Sequence, residues 1–232
     1  MGLISIEEIE GKPKIAPVSG KAGVIKNLGK VVKNKYNWPI LAVITFLCVT
    51  VTTLTGSFGT PYISEVYGLN TIEASKYTML MTLGIAVGAA AVGAVSDKIR
   101  RRKSIMIILC GGISVIWIYI VWICKGAPDI KAMGVLFFLT GFFATAYTLP
   151  YTVAKESNDP RYVGISTSFM GFIGFLGSAA GPVLVGKIID SNSLVLSGGA
   201  LYSKAFALIA VCNITAFIAA FFVKETYGEN IY

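Results

Sequence analysis

"GAVSDKIRRRK", Gly93–Lys103, carries one carboxylate and five cationic side chains within its last seven residues, between two strongly apolar stretches. The setting of that charge run decides the fold. The chain has 232 residues, 55% of them hydrophobic and only 14% charged, and its mean hydropathy is +0.72. A soluble domain carries about 25% charged residues, spread over its surface. Here the charges cluster between long apolar runs, which is the pattern of a membrane protein.

Six runs approach the roughly 20 apolar residues that cross a bilayer. They lie near Trp38–Phe58, Lys76–Val95, Ser104–Cys124, Ala132–Ala154, Tyr162–Ile188 and Tyr202–Val223. The expected fold class is therefore all-α, with six transmembrane helices spanning residues 38–224. Residues 1–37 form a polar, Lys-rich leader with no early apolar run, so no signal peptide is expected. Ile6 stands where a myristoylation pattern wants Ser or Thr. The later part of the leader, "VIKNLGKVVKNKYNW", alternates apolar residues at helical spacing with lysines. It reads either as an amphipathic helix lying on the membrane surface or as an unstructured basic segment. Residues 225–232 form a short tail.

Lys and Arg counts in alternate loops set the expected orientation. Fifteen of the twenty cations fall on the side of the two termini and five on the other, which places both termini in the cytoplasm by the positive-inside rule, in a cell membrane. The net charge of +8 then reports topology. Nucleic-acid binding is not expected, since no basic patch interleaved with aromatics stands outside the membrane-proximal loops. Cys48, Cys110, Cys124 and Cys212 lie in or at the ends of apolar runs with no CxxC spacing, so neither a disulfide framework nor a metal site is expected. Histidine is absent. No nucleophile–base pair, metal set or phosphate loop is evident, so the chain reads as a non-enzyme that needs no cofactor.

Texture differs among the runs. Run two, "GIAVGAAAVGAV", and run five, "GFIGFLGSAAGPVLVG", are rich in small residues. Glycines four apart, such as Gly84 with Gly88 and Gly177 with Gly181, let membrane helices approach closely. Gly174 and Pro182 belong to the same packing pattern. Run three is bulky and aromatic, as is the end of run six. Runs two and five are thus expected to pack internally, with three and six facing lipid.

The quoted loop resembles the "G-x-L-[SA]-D-[RK]-x-G-R-[RK]-[RK]" signature of the major facilitator superfamily of secondary transporters. Gly93, Ser96, Asp97, Lys98, Arg101, Arg102 and Lys103 match, Val95 replaces Leu, and Arg100 stands where the family often has Gly. Residues Arg161–Asp190 resemble the glycine-patterned eleventh helix of such proteins, and "KETYG", Lys224–Gly228, resembles the segment after their last helix. The family consists of two six-span halves related by a pseudo-two-fold axis. Run four has no Arg, the leader resembles the central loop between halves, and "KETYG" resembles the terminus. The resemblance therefore implies the C-terminal half, spans seven to twelve.

The resemblance also implies function: movement of a small solute by alternating access, in a lipid bilayer, with a second six-span half from a separate chain or a copy of itself. An inactive fragment or a structural membrane subunit is the alternative. The family's aspartate contacts the start of the helix corresponding to run five. The resemblance thus implies a conformational gate of Gly93, Asp97, Lys98, Arg101, Arg102 and Arg161, latching Asp97 onto the Pro160–Gly164 turn. A helix-end Asp paired with its own loop's arginines is the plainer alternative. In this architecture the first and fourth helices of a half line the cavity, which singles out Thr45 and Thr52 on run one and Thr140, Tyr147 and Tyr151 on run four. Membrane threonines that bond back to their own helix are the plainer alternative there. No Asp, Glu, Lys or Arg lies mid-run, so a proton site or charged anchor is expected from the partner half.

Overall fold

In lipid every backbone N–H and C=O must find a partner inside the protein, so an apolar run of this length can only be a helix. The computed structural model describes residues 21–230, with side chains from Asn27 onward. The myristoylation-like start and the first 20 residues of the leader lie outside the described residues. Among the described residues, six helices are long and apolar enough to cross a membrane: Asn37–Tyr67, Thr71–Ile99, Arg102–Ile123, Ile130–Glu156, Pro160–Asn192 and Gly198–Phe222, called spans one to six. Among the described residues there is no β-strand. An amphipathic helix, α1 (Lys21–Lys33), precedes span one and packs against span five.

Local chemistry sets the ends. Asn70 caps span two by accepting from the Glu73 N–H at 2.9 Å, and Asp129 caps span four by accepting from Lys131 at 2.7 Å. Gly68, at φ +67°, closes span one in the left-handed region that only glycine enters freely. Span one widens into a π-helical turn at Leu54–Phe58. Span four tightens into a 3-10 turn at Thr145–Thr148, directly ahead of Pro150, whose ring cannot donate to the preceding turn.

Spans two and four, one and five, one and six, and three and six form the main packed pairs. Glycines make the first two pairs close. A Cβ at Gly88 would stand 2.7 Å from the Phe142 carbonyl oxygen, and one at Gly84 or Gly141 would overlap the backbone of Phe138 or Met81. On span five, a Cβ at Gly181 would meet Thr53 Oγ1 at 2.8 Å and one at Gly174 would press on Ile44 at 3.3 Å. Pro182 removes an N–H from span five and leaves the Ser178 carbonyl without its helical donor. Thr52 of span one donates to that carbonyl at 3.1 Å and to its own Cys48 carbonyl at 2.8 Å. Thr50 donates to Asn213 Oδ1 at 3.0 Å and ties span one to span six.

Burial within the bundle is distributed differently from what the texture of the runs suggests. Half of the most apolar stretch is buried in spans one and three and 44% in spans four and six, but only 22% in spans two and five. Spans two and five each bury one glycine face and expose the opposite one, while spans three and six supply the core. Trp117 and Phe206 are fully buried and meet edge-to-face at 5.5 Å, and the tilted rings of Tyr62 and Tyr202 pack beside them at 5.1 Å. The reason is that lipid tails are as apolar as Leu or Phe, so bulk does not distinguish a lipid-facing helix from a central one.

Gly141→Ala should cost about 1–3 kcal/mol, because the span two backbone has to retreat from the new methyl. Gly29→Ala, where the Cβ enters open space, should be neutral or slightly stabilising. Thermal loss of helical circular dichroism in detergent reads both.

Candidate functional site

Two of the gate-motif residues, Asp97 and Arg102, meet where the ends of spans two and four and the start of span three come together. The Arg102 guanidinium is 8% exposed, and Nη1 donates to Asp97 Oδ1 at 2.8 Å and to the Ser96 hydroxyl. Nη2 and Nε reach Glu156 Oε1 at 3.2 and 3.4 Å. Thr226 of "KETYG" donates to the other Glu156 oxygen. Glu225 of the same segment accepts from the Lys103 N–H at 3.2 Å, placing a carboxylate at the positive start of span three. One buried cation thus joins the end of span two, the end of span four and, through Glu156, the C-terminal segment.

Arg100 occupies the turn where the family signature has glycine. It adopts the left-handed conformation itself, at φ +56°, with its N–H on the Ser96 carbonyl at 3.0 Å. The tight turn is kept without the glycine.

The expected latch from Asp97 to the start of span five is not formed within this bundle. The Asp97 side chain is 76% exposed and its carboxylate belongs to Arg102. Arg161 instead grips Asp159, its Nη2 at 2.6 Å, and that guanidinium lowers the Asp159 pKa. Gly93, Lys98 and Arg101 are exposed, and among the described residues neither the Lys98 nor the Arg101 side chain makes a hydrogen bond. The geometry matches the plainer alternative, an aspartate paired with an arginine of its own loop. Span two and span five are not neighbours; they flank spans four and one on separate sides of the bundle. Glu156, which the sequence reading did not single out, is the second acidic partner of Arg102. Its signal was its place one residue beyond Lys155, at the same end as the basic loop.

The second cluster is a cavity of about 210 Å³ within the bundle, lined by Cys48, Thr52, Tyr147, Tyr151, Phe175 and Ser178 with neighbours from spans one and five. No charged side chain lines it. The 3-10 turn and the helix behind Pro150 carry Tyr147 and Tyr151 to the same wall. Neither phenol makes a hydrogen bond among the described residues, so both hydroxyls are left to a ligand or to water. Of the five residues expected here, Thr52, Tyr147 and Tyr151 are present. Thr45 packs against Gly177 instead, and Thr140 is buried, 1% exposed, and does not line the cavity. Both threonines lie on the expected helices, but Thr45 turns toward a glycine seam. Sequence reasoning missed the span five wall, Phe175 and Ser178, because it depends on how closely glycine brings that helix to span one.

With this geometry in view, the family model described as the Major Facilitator Superfamily matches residues 10–231. The chain belongs to the major facilitator superfamily. Similar proteins include the "Membrane sensor protein UhpC" of Salmonella typhimurium, 26% identical over 163 residues, 69% of this chain and 36% of that protein. The protein of the same name in Escherichia coli matches at 26% over 164 residues, 69% of this chain and 37% of that protein. The "Ascochitine biosynthesis cluster MFS transporter" of Didymella fabae is 28% identical over 199 residues, 84% of this chain and 36% of that protein. The matches thus span little more than a third of the length of these relatives, and the chain is an integral, multi-pass membrane protein with six membrane-length apolar helices among its described residues.

Arg102→Ala should destabilise the bundle by about 3 kcal/mol, since it leaves the Glu156 carboxylate, 13% exposed, without its cation. Asp97→Asn should cost less than about 1 kcal/mol, as expected of a pair with one exposed member. Thermal unfolding of the two variants side by side gives the ranking; equal costs would contradict it.

Proposed function

We propose that this chain is the C-terminal six-span half of a major-facilitator-type transporter and carries a small solute by alternating access with a second six-span unit. That unit is a separate chain, a second copy, or a further stretch of a longer protein. The uneven burial carries the reading: spans two and five have a packed glycine face and an opposite face with exposed Phe172, Phe175, Val87 and Val95. A second bundle placed there covers those faces and closes the open side of the tyrosine-lined cavity. Residues 1–37 then serve as the basic connection on the cytoplasmic side, 38–224 as the half-domain and 225–232 as a cytoplasmic tail, with the bundle in the cell membrane. Asp97, exposed at the end of span two, has its gating partner on the other bundle, while Arg102 holds it at the correct place.

Chemistry narrows the solute. A wall of two free phenols, a thiol and two hydroxyls, without a charge, suits an uncharged polar or aromatic molecule held by hydrogen bonds and ring contact. Sensing of such a solute without carriage is the second reading, favoured by the two relatives named as membrane sensors. The same cavity serves both.

The test is co-expression with the six-span unit encoded nearest the chain, co-purification, and solute uptake by vesicles holding the pair. Tyr147→Ala with Tyr151→Ala should lower uptake at least ten-fold with assembly unchanged. Asp97→Asn should shift the balance of outward- and inward-open states, read by labelling of Cys48. Solute binding that protects Cys48 from labelling, with no uptake, would favour sensing; neither binding nor uptake in the assembled pair would overturn both readings.

A further inference from the structure

Spans two, four, one and five stand side by side in that order, with spans three and six behind them. The front of this row carries the open side of the tyrosine-lined cavity, and spans two and five bound it at the flanks. We infer that the second bundle is a second copy of this chain, related by a two-fold axis along the membrane normal. Span two of each copy then lies against span five of the other. The inference rests on the reading that a six-span unit covers this face, and it identifies that unit.

A two-fold interface is made by one surface that matches itself: residue i meets j, and j meets i. A row turned through a half-circle to face its copy sets span two opposite span five. The two flanks of one chain must therefore agree in depth, charge and bulk. Depth follows from span one, which touches both. Thr60 Oγ1 lies 3.4 Å from Thr78 Oγ1 of span two, and a Cβ at Gly186 of span five would stand 3.4 Å from the Phe58 ring. At about 1.5 Å per helical residue, Thr78 and Gly186 are then about 3 Å apart along the bundle. Counted from these levels, Lys76 falls at the depth of Asp190, Met79 at that of Lys187, Leu83 at that of Val183, and Gly93 at that of Phe172. All eight positions are exposed.

The pairs also match in chemistry. Lys76 and Asp190 carry opposite charges, and among the described residues neither side chain makes a hydrogen bond or an ion pair. Glu73, one turn outside Lys76, falls opposite the uncharged Ser193. Met79 offers an apolar seat for the Lys187 stem, and Leu83 meets Val183. Phe172 is 60% exposed, while a Cβ at Gly93 would have nothing within 4 Å, so a knob stands at the level of a hollow. Beyond the charged pair, Ile72 and Leu194, 77% and 98% exposed, close the outer end. A chain built only for a different partner has no reason to carry one flank that fits its own other flank.

The full chain is expressed alone as two differently tagged copies and reconstituted in vesicles. Lys76→Cys in one copy and Asp190→Cys in the other should cross-link with a short bis-maleimide, above the level of two unaltered copies. Lys76→Cys paired with Lys125→Cys, on the turn packed against span six, should stay at that level. Lys76→Glu should lower the fraction of paired chains about five-fold, and adding Asp190→Lys should restore it. Gly93→Leu, whose side chain has room in its own bundle, should lower pairing with helical circular dichroism unchanged. Unpaired chains in the vesicles, equal cross-linking from Asp190→Cys and Lys125→Cys, or a charge swap without recovery would each overturn the self-pairing. Pairing and uptake only with a different six-span unit would overturn it as well, yet leave the transporter-half reading standing. A self-pair that neither binds nor carries solute would uphold the interface and overturn that reading instead.

Discussion

Close backbone approach at glycine governs this bundle. Between helices immersed in lipid there is no hydrophobic driving force, so association depends on contact area and on hydrogen bonds across the seam. Gly84, Gly88 and Gly141 bring spans two and four together, and Gly174, Gly177 and Gly181 bring span five onto span one. The second seam also places Ser178 and Phe175 beside Tyr147 and Tyr151, so the cavity is a by-product of the packing. It likewise sets which faces of spans two and five are turned outward.

At the basic end the governing interaction is different. Arg102 is buried and would be costly alone, but Asp97, Ser96 and Glu156 supply acceptors around it. Lysine could not replace it: an ammonium lacks the planar spread of donors that reaches three acceptors on two helices. The family signature loop is therefore structural before it is conformational. Its basic residues divide between one buried arginine that organises the helix ends and exposed cations, Lys98 and Arg101, that face outward.

Much of the fold was legible in the sequence. Span number followed from apolar run length, and the family from the residues around Asp97. The glycine spacing correctly marked close-packed seams, and Tyr147 and Tyr151 were placed on a common wall. The bulk of spans three and six did not foretell how much of them is buried within the bundle, because an aromatic side chain is at home in either environment. Thr45 and Thr140 were misplaced for a related reason: a helical face can be read from spacing, but the neighbour it turns toward cannot. The Asp97 contact with span five required spans two and five to touch within one bundle. The glycine seams instead commit each to a different neighbour. Glu156 and Thr226 could not be paired from sequence, because they are 70 residues apart.

The Thr52 hydroxyl has a single proton and two carbonyl oxygens within reach, one on its own helix and one on the helix that Pro182 interrupts. Small relative displacement of the two helices along their common seam transfers that proton's allegiance from one oxygen to the other without stranding it. The proline, commonly regarded as a defect, thus becomes a joint: the acceptor it frees is taken up by a hydroxyl that two helices share.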